Sequence, residues 1–150
     1  EKKDRVEDAL NATRAALDEG IIPGGGVSLM RAAGMFFEDG DYKNADQING
    51  SEIIRRACRA PFNGIIQNAG LNSEVIWNEI SASKYKNSGF DARKEEVVDM
   101  LEAGIIDPTK VTKTALQKAA SIAGTMLTTE CVITKVKGDK EESAPQYPMM

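Results

Sequence analysis

The stretch Val6-Glu7-Asp8-Ala9-Leu10-Asn11-Ala12-Thr13-Arg14-Ala15-Ala16-Leu17-Asp18-Glu19-Gly20-Ile21-Ile22-Pro23-Gly24-Gly25-Gly26 sets an acidic, alanine-rich helix directly before a three-glycine elbow. Val6, Ala9, Leu10, Thr13, Ala16 and Leu17 recur at helical spacing and form one apolar stripe. Gly20 stops that helix, and Pro23 blocks any continuation. On the helical wheel Asp8 lies away from Val6, Leu10 and Leu17, in company with Ala12, Ala15 and Glu19. Small neighbours leave a ligand room to reach the carboxylate. A solvated acid near a helix start fits the same pattern, because the helix dipole favours negative charge there. The Gly24-Gly25-Gly26 run lacks the lysine and spacing of a P-loop and is not a G-x-G-x-x-G fingerprint. It offers backbone without Cβ atoms just before a helix N-terminus, whose N–H groups suit anions and polar ligands. A plain flexible elbow is the other reading.

Beyond the elbow the punctuation predicts further helices. One begins near Gly25 with Val27, Met30, Ala33 and Phe37, and fades into the polar loop Glu38-Asp39-Gly40-Asp41. Ser51 is expected to cap a third, with Ile54, Ala57 and Cys58 on one face. Pro61 suits the first turn of a fourth, which Gly70 ends. Ser73 is expected to cap a fifth through Val75, Ile76 and Ile80, before a small hairpin or loop over Lys84–Phe90. Val97, Val98 and Leu101 suggest a sixth helix ending at Gly104, and Val111, Ala115, Ala119, Ile122 and Met126 a long seventh. Cys131–Val136 reads as the one convincing strand, which needs a partner edge from elsewhere or from residues 85–90. Residues from Gly138 to Met150 are polar and read as disordered.

Two more places bear chemistry. In Gly104-Ile105-Ile106-Asp107-Pro108-Thr109-Lys110, Asp107 before Pro108 reads as a helix N-cap, or as a carboxylate gripping ribose hydroxyls while Ile105 covers a base. Phe90-Asp91-Ala92-Arg93 is a loop whose small residue can wall off a flat ring.

Composition narrows the field. The 150 residues carry 19 basic and 23 acidic side chains, a net charge of −4, so no basic excess awaits nucleic acid. No apolar run approaches the roughly 20 residues of a membrane span. Glu1-Lys2-Lys3-Asp4 has no signal-peptide core, and the chain reads as soluble. With no histidine, zinc sites and histidine triads built on it are excluded. Cys58 and Cys131 match no metal or redox spacing and read as reduced thiols. Helical periodicity already running at Val6, without a clear cap, suggests a piece of something longer.

Taken in order and spacing, these segments resemble one family. Glu1–Leu10, Ala12–Ala16, Gly24–Val27, Gly104–Thr112 and Thr128–Cys131 look like the C-terminal part of a group I chaperonin large subunit, the 60-kDa type of bacteria and organelles. The resemblance runs up to about Val136. It implies a mainly α fold: the C-terminal half of an equatorial ATP-binding domain over residues 19–136, one intermediate-domain helix over 1–18, a short hairpin, a C-terminal strand and a disordered tail over 137–150. It also implies ATP or ADP with Mg2+ as cofactor, and ATP-driven folding in rings of seven copies. By position, Asp8 resembles the carboxylate that orients the attacking water. Gly24 and Gly25 would meet the nucleotide through backbone, Asp107 would hold the ribose, and Asp91, Ala92 and Ile105 would enclose the adenine. No metal ligand is expected among these residues; the family's phosphate loop, magnesium-binding aspartate and client-binding apical domain lie outside them. The segment alone is therefore expected to be inactive. Expected partners are other copies of the subunit, unfolded clients and a small co-chaperonin lid, with no nucleic acid and no membrane. Asn63 and Asn72 stand where some bacterial members carry a charged inter-ring pair, which with the tail's lack of Gly-Gly-Met repeats leans towards the mitochondrial matrix, the bacterial cytoplasm or another organelle being the alternative. The alternative is a free-standing helical protein-interaction module without nucleotide chemistry.

Overall fold

The computed structural model describes residues 1–35 and 42–134. Among them the fold is mainly helical, with two small antiparallel strand pairs. Helix α1 (Lys2–Glu19) runs into strand β1 (Ile21–Pro23) and then helix α2 (Val27–Met35). Helices α3 (Ala45–Asn68) and α4 (Ser73–Ala82) follow, then the hairpin β2 (Ser88–Asp91) and β3 (Glu96–Asp99), strand β4 (Ile106–Pro108) and helix α5 (Thr109–Leu127).

The core lies where α2, α3, α4 and β2 meet. Val27 and Met30 come from α2, Phe62 and Ile66 from α3, Ile76 and Ile80 from α4, and Phe90 from β2. Each helix contributes residues three or four apart, the spacing that puts them on one face. Phe62 meets Trp77 edge-on, ring centres 5.6 Å apart.

Several expectations about elements change. Helix α3 is continuous where two helices were expected. Asn44 is its N-cap, accepting from the Gln47 N–H, while Ser51 is buried within the helix with its hydroxyl against Tyr42 Oη at 2.6 Å. Pro61 sits inside that helix. Proline there frees the carbonyl four residues back, and Ala57 is exposed, so water can satisfy it. Asn72, one residue before Ser73, caps α4 by accepting from the Glu74 and Val75 N–H groups.

The expected sixth helix is instead a strand and a turn. β3 pairs with β2 in the register Ser88↔Asp99 to Asp91↔Glu96. Adjacent β-branched Val97 and Val98 favour strand, and the Asp99 carboxylate accepts from the Leu101 and Glu102 N–H groups, bending the chain away from a helix. Residues 131–134 carry no regular structure, so the strand expected over Cys131–Val136 is absent as far as it is described. Its last two residues, the tail over 137–150, Phe37 and the loop at 38–41 lie outside the described residues.

The hairpin turn holds the one non-glycine residue at positive φ among those described, Glu95 at φ 57. A side chain in the left-handed region costs about 1 kcal/mol that glycine avoids. Glu95→Gly is therefore expected to stabilise by about 0.5–1 kcal/mol, raising the melting temperature by about 1–4 °C in a thermal melt. An unchanged or lower midpoint would contradict it.

Candidate functional site

The residues singled out at the start and near the end of the sequence meet through β1 and β4. These strands pair antiparallel with Ile21↔Pro108, Ile22↔Asp107 and Pro23↔Ile106. The ladder extends one step further, since the Gly24 N–H donates to the Ile105 carbonyl at 2.9 Å. Gly24 is thereby buried and its amide spent. Gly25, at φ 66, stays partly open, and its N–H has no backbone partner among the described residues. The Gly26 N–H likewise has no backbone partner among the described residues, so the glycine elbow offers two open amides, at Gly25 and Gly26.

Asp107 is not a cap. Helix α5 starts at Thr109 with Pro108 as its N-cap residue, and no side chain caps it. The Asp107 carboxylate is half-buried in β4, and burial pushes its pKa above the usual carboxylate value. It makes no hydrogen bond or ion pair with any described residue. A half-buried carboxylate left unpaired costs stability unless something else satisfies it. Of the two sequence readings of Asp107, capping falls away.

Two clefts meet at this residue. One, of about 360 Å³, lies between the elbow and α5 and is lined by Ile22, Pro23, Gly25, Asp107, Val111 and Thr112, among others. The other, of about 290 Å³, lies under α1 and is lined by Ala12, Thr13, Ala16, Ile21, Ile106, Asp107 and Pro108. Asp8 stands one turn, about 6 Å along the axis, beyond Ala12, at the edge of that helix face. Its side chain is exposed. Asp107 therefore shares one cleft with Gly25 and the other with the helix that carries Asp8.

Helix α1 has no buried residue. It rests on α5 and β4, joined by the pairs Lys110–Asp18 at 2.7 Å and Lys113–Glu19 and by the Thr109 N–H on the Gly20 carbonyl. The Asp18 carboxylate holds the Lys110 ammonium above its ordinary pKa. These pairs are exposed, and such pairs add little to stability.

The model of the TCP-1/cpn60 chaperonin family matches residues 1–137. The chain belongs to the TCP-1/cpn60 chaperonin family. Membership gives it a chaperonin-type role in protein folding, and the helical fold agrees with a piece of such a protein.

In this chaperonin chain Asp91 and Ala92 line neither of the two clefts. The Asp91 carboxylate is only 12 % exposed and is occupied within the hairpin, accepting from the Arg93 and Lys94 N–H groups at 2.9 and 3.3 Å. Ala92 packs against the core cluster. Asn72 is accounted for by its capping of α4. Asn63 is not: its buried Oδ1 lacks a partner. Among the described residues no three acidic or cysteine side chains converge to hold a metal ion, and no helix is long and apolar enough to cross a membrane. Sequence reading missed Ile22, Val111 and Thr112 as cleft residues. The signal available was Ile-Ile-Pro at 21–23 and Ile-Asp-Pro at 106–108, each an apolar start and a proline end next to a helix.

Proposed function

We propose that this chain is the nucleotide-bearing C-terminal part of a group I, ATP-dependent chaperonin, with residues 1–18 in the intermediate domain and the following residues in the equatorial domain. The observation that carries the reading is the unpartnered, half-buried Asp107 carboxylate, which lines one cleft together with Gly25. A carboxylate accepts two hydrogen bonds from a ribose diol, and a bare glycine amide admits a phosphate or ribose oxygen closely. Ile105 supplies an apolar surface, and Asp91 and Ala92 bring the hairpin to the base side. Gly24 supports the elbow through its bond to Ile105.

Asp8 orients the water that attacks the γ-phosphate. Phosphoryl transfer depends on positioning more than on covalent help, and a carboxylate on a helix anchored at one end can complete a site after closure. Magnesium would neutralise phosphate charge, and no side-chain cluster among the described residues suits it. The assembly we propose is a seven-membered ring of copies, with clients and a small lid protein as partners, in the mitochondrial matrix. Asn63 and Asn72 in place of a charged pair support the compartment.

The test is Asp107→Ala in the assembled chaperonin, read by titration with a fluorescent ADP. Loss of the equivalent of one charge-assisted hydrogen bond, about 1.5–3 kcal/mol, predicts an affinity lower by about 10- to 100-fold. Unchanged affinity would overturn the assignment.

A further inference from the structure

Met100 lies just after β3 and is fully buried at 0 % exposure. Its main chain extends the hairpin ladder, its N–H donating to the Asn87 carbonyl at 3.0 Å. Its carbonyl accepts from the Ile105 N–H at 2.9 Å, at the entry to β4. Its side chain fills the space above two glycines. A Cβ placed on Gly25 would stand 3.2 Å from Met100 Cε, and one on Gly89 would collide with Cγ and stand 2.6 Å from Sδ. One residue thus touches the elbow, the hairpin carrying Asp91 and Ala92, and the segment leading to Ile105 and Asp107.

We propose that Met100 is the positioning residue that sets the base-side hairpin against the ribose carboxylate, and so sets the preference for adenine. This rests on the nucleotide reading given above. In the nucleotide reading Asp107 holds the ribose from β4, and the hairpin stands on the base side. The two elements are not paired with each other. Their spacing therefore depends on what is wedged and bonded between them, and Met100 is both. An unbranched thioether packed under Gly89 fills that gap without a Cβ opposing it. A shift near 1 Å in such a wall weakens recognition by up to about 10²-fold.

The experiment is competition for a fluorescent ADP on the assembled chaperonin, with ATP, GTP and tripolyphosphate as competitors. Gly89→Ala forces Met100 aside and is expected to weaken ATP about 10-fold and to narrow its advantage over GTP, leaving tripolyphosphate unchanged. Gly89→Ala with Met100→Ala removes the clash with the thioether but also the wedge itself, and is expected to show the same loss of base preference as Met100→Ala, with no further loss. Met100→Ala alone gives the same loss of base preference, and carries the test if Gly89→Ala does not fold. A general weakening of ATP and tripolyphosphate together would overturn the proposal, as would unaltered base preference in variants that melt like the parent. If the parent itself does not distinguish ATP from tripolyphosphate, the nucleotide reading fails, and this proposal with it.

Discussion

Asp8→Ala is expected to lower kcat for ATP hydrolysis by the assembled chaperonin about 10²- to 10⁴-fold, the range a positioned proton acceptor supplies. KM for ATP should stay within about two-fold, because an interaction made only in the transition state lowers kcat and kcat/KM together. The geometry makes this a clean substitution. Asp8 is exposed on a helix that buries nothing, and it forms no ion pair with a described residue. Its removal leaves the core of Val27, Phe62, Ile66 and Ile80 untouched. Steady-state kinetics beside a thermal melt decide the matter. An unchanged kcat would return Asp8 to the role of a solvated acid near a helix start.

The largest stability effect is expected at Gly26. Its φ is 75, and a Cβ there would lie 2.6 Å from the Phe62 nitrogen and 2.9 Å from its Cα. Those are backbone atoms of the long helix α3, which cannot swing aside as a side chain can. Gly26→Ala adds a left-handed alanine, about 1–2 kcal/mol, to an overpacked contact of about 1–3 kcal/mol. The sum, about 2–5 kcal/mol, predicts a fall in melting temperature of about 5–15 °C for a chain of this size. Gly20→Ala is the control. Gly20 has φ 80 but open space around its missing Cβ, so only the conformational part applies. Equal losses at the two positions would show that the close approach of α2 to α3 contributes nothing.

What the sequence disclosed follows the range of the interactions involved. Helices α1 and α5 were legible because their apolar periodicity and their glycine and proline boundaries are local. The resemblance implies one site for Asp107 and Gly25; the β1–β4 register pairs Asp107 with Ile22, and Asp107 and Gly25 line one cleft. That register itself was not legible. Three-residue strands such as Ile21–Pro23 and Ile106–Pro108 are too short to show alternation, and their partners lie far away in sequence. Pro61 misled because its usual place is a helix start, whereas here the freed carbonyl of Ala57 faces solvent. Val97-Val98 misled in the other direction: two apolar residues with Leu101 fit a helical stripe as well as a strand. Cys131–Thr134 shows that β propensity without a partner edge makes no strand, and Ile133 there is 94 % exposed.

The β1–β4 ladder also carries a consequence for how the subunit comes to exist. Its two halves are separated by α2, α3, α4 and the β2–β3 hairpin, so closing them loses chain entropy that local helices never lose. Contacts of such separation form late, after the helices that bring them together. A chain emerging from synthesis shows its glycine elbow long before it owns the aspartate that faces it. Any ligand held between the two therefore acts as a non-covalent clasp on a long loop of the fold. It adds RT ln(1 + [L]/Kd) to the folded state only, and does so selectively for subunits already complete.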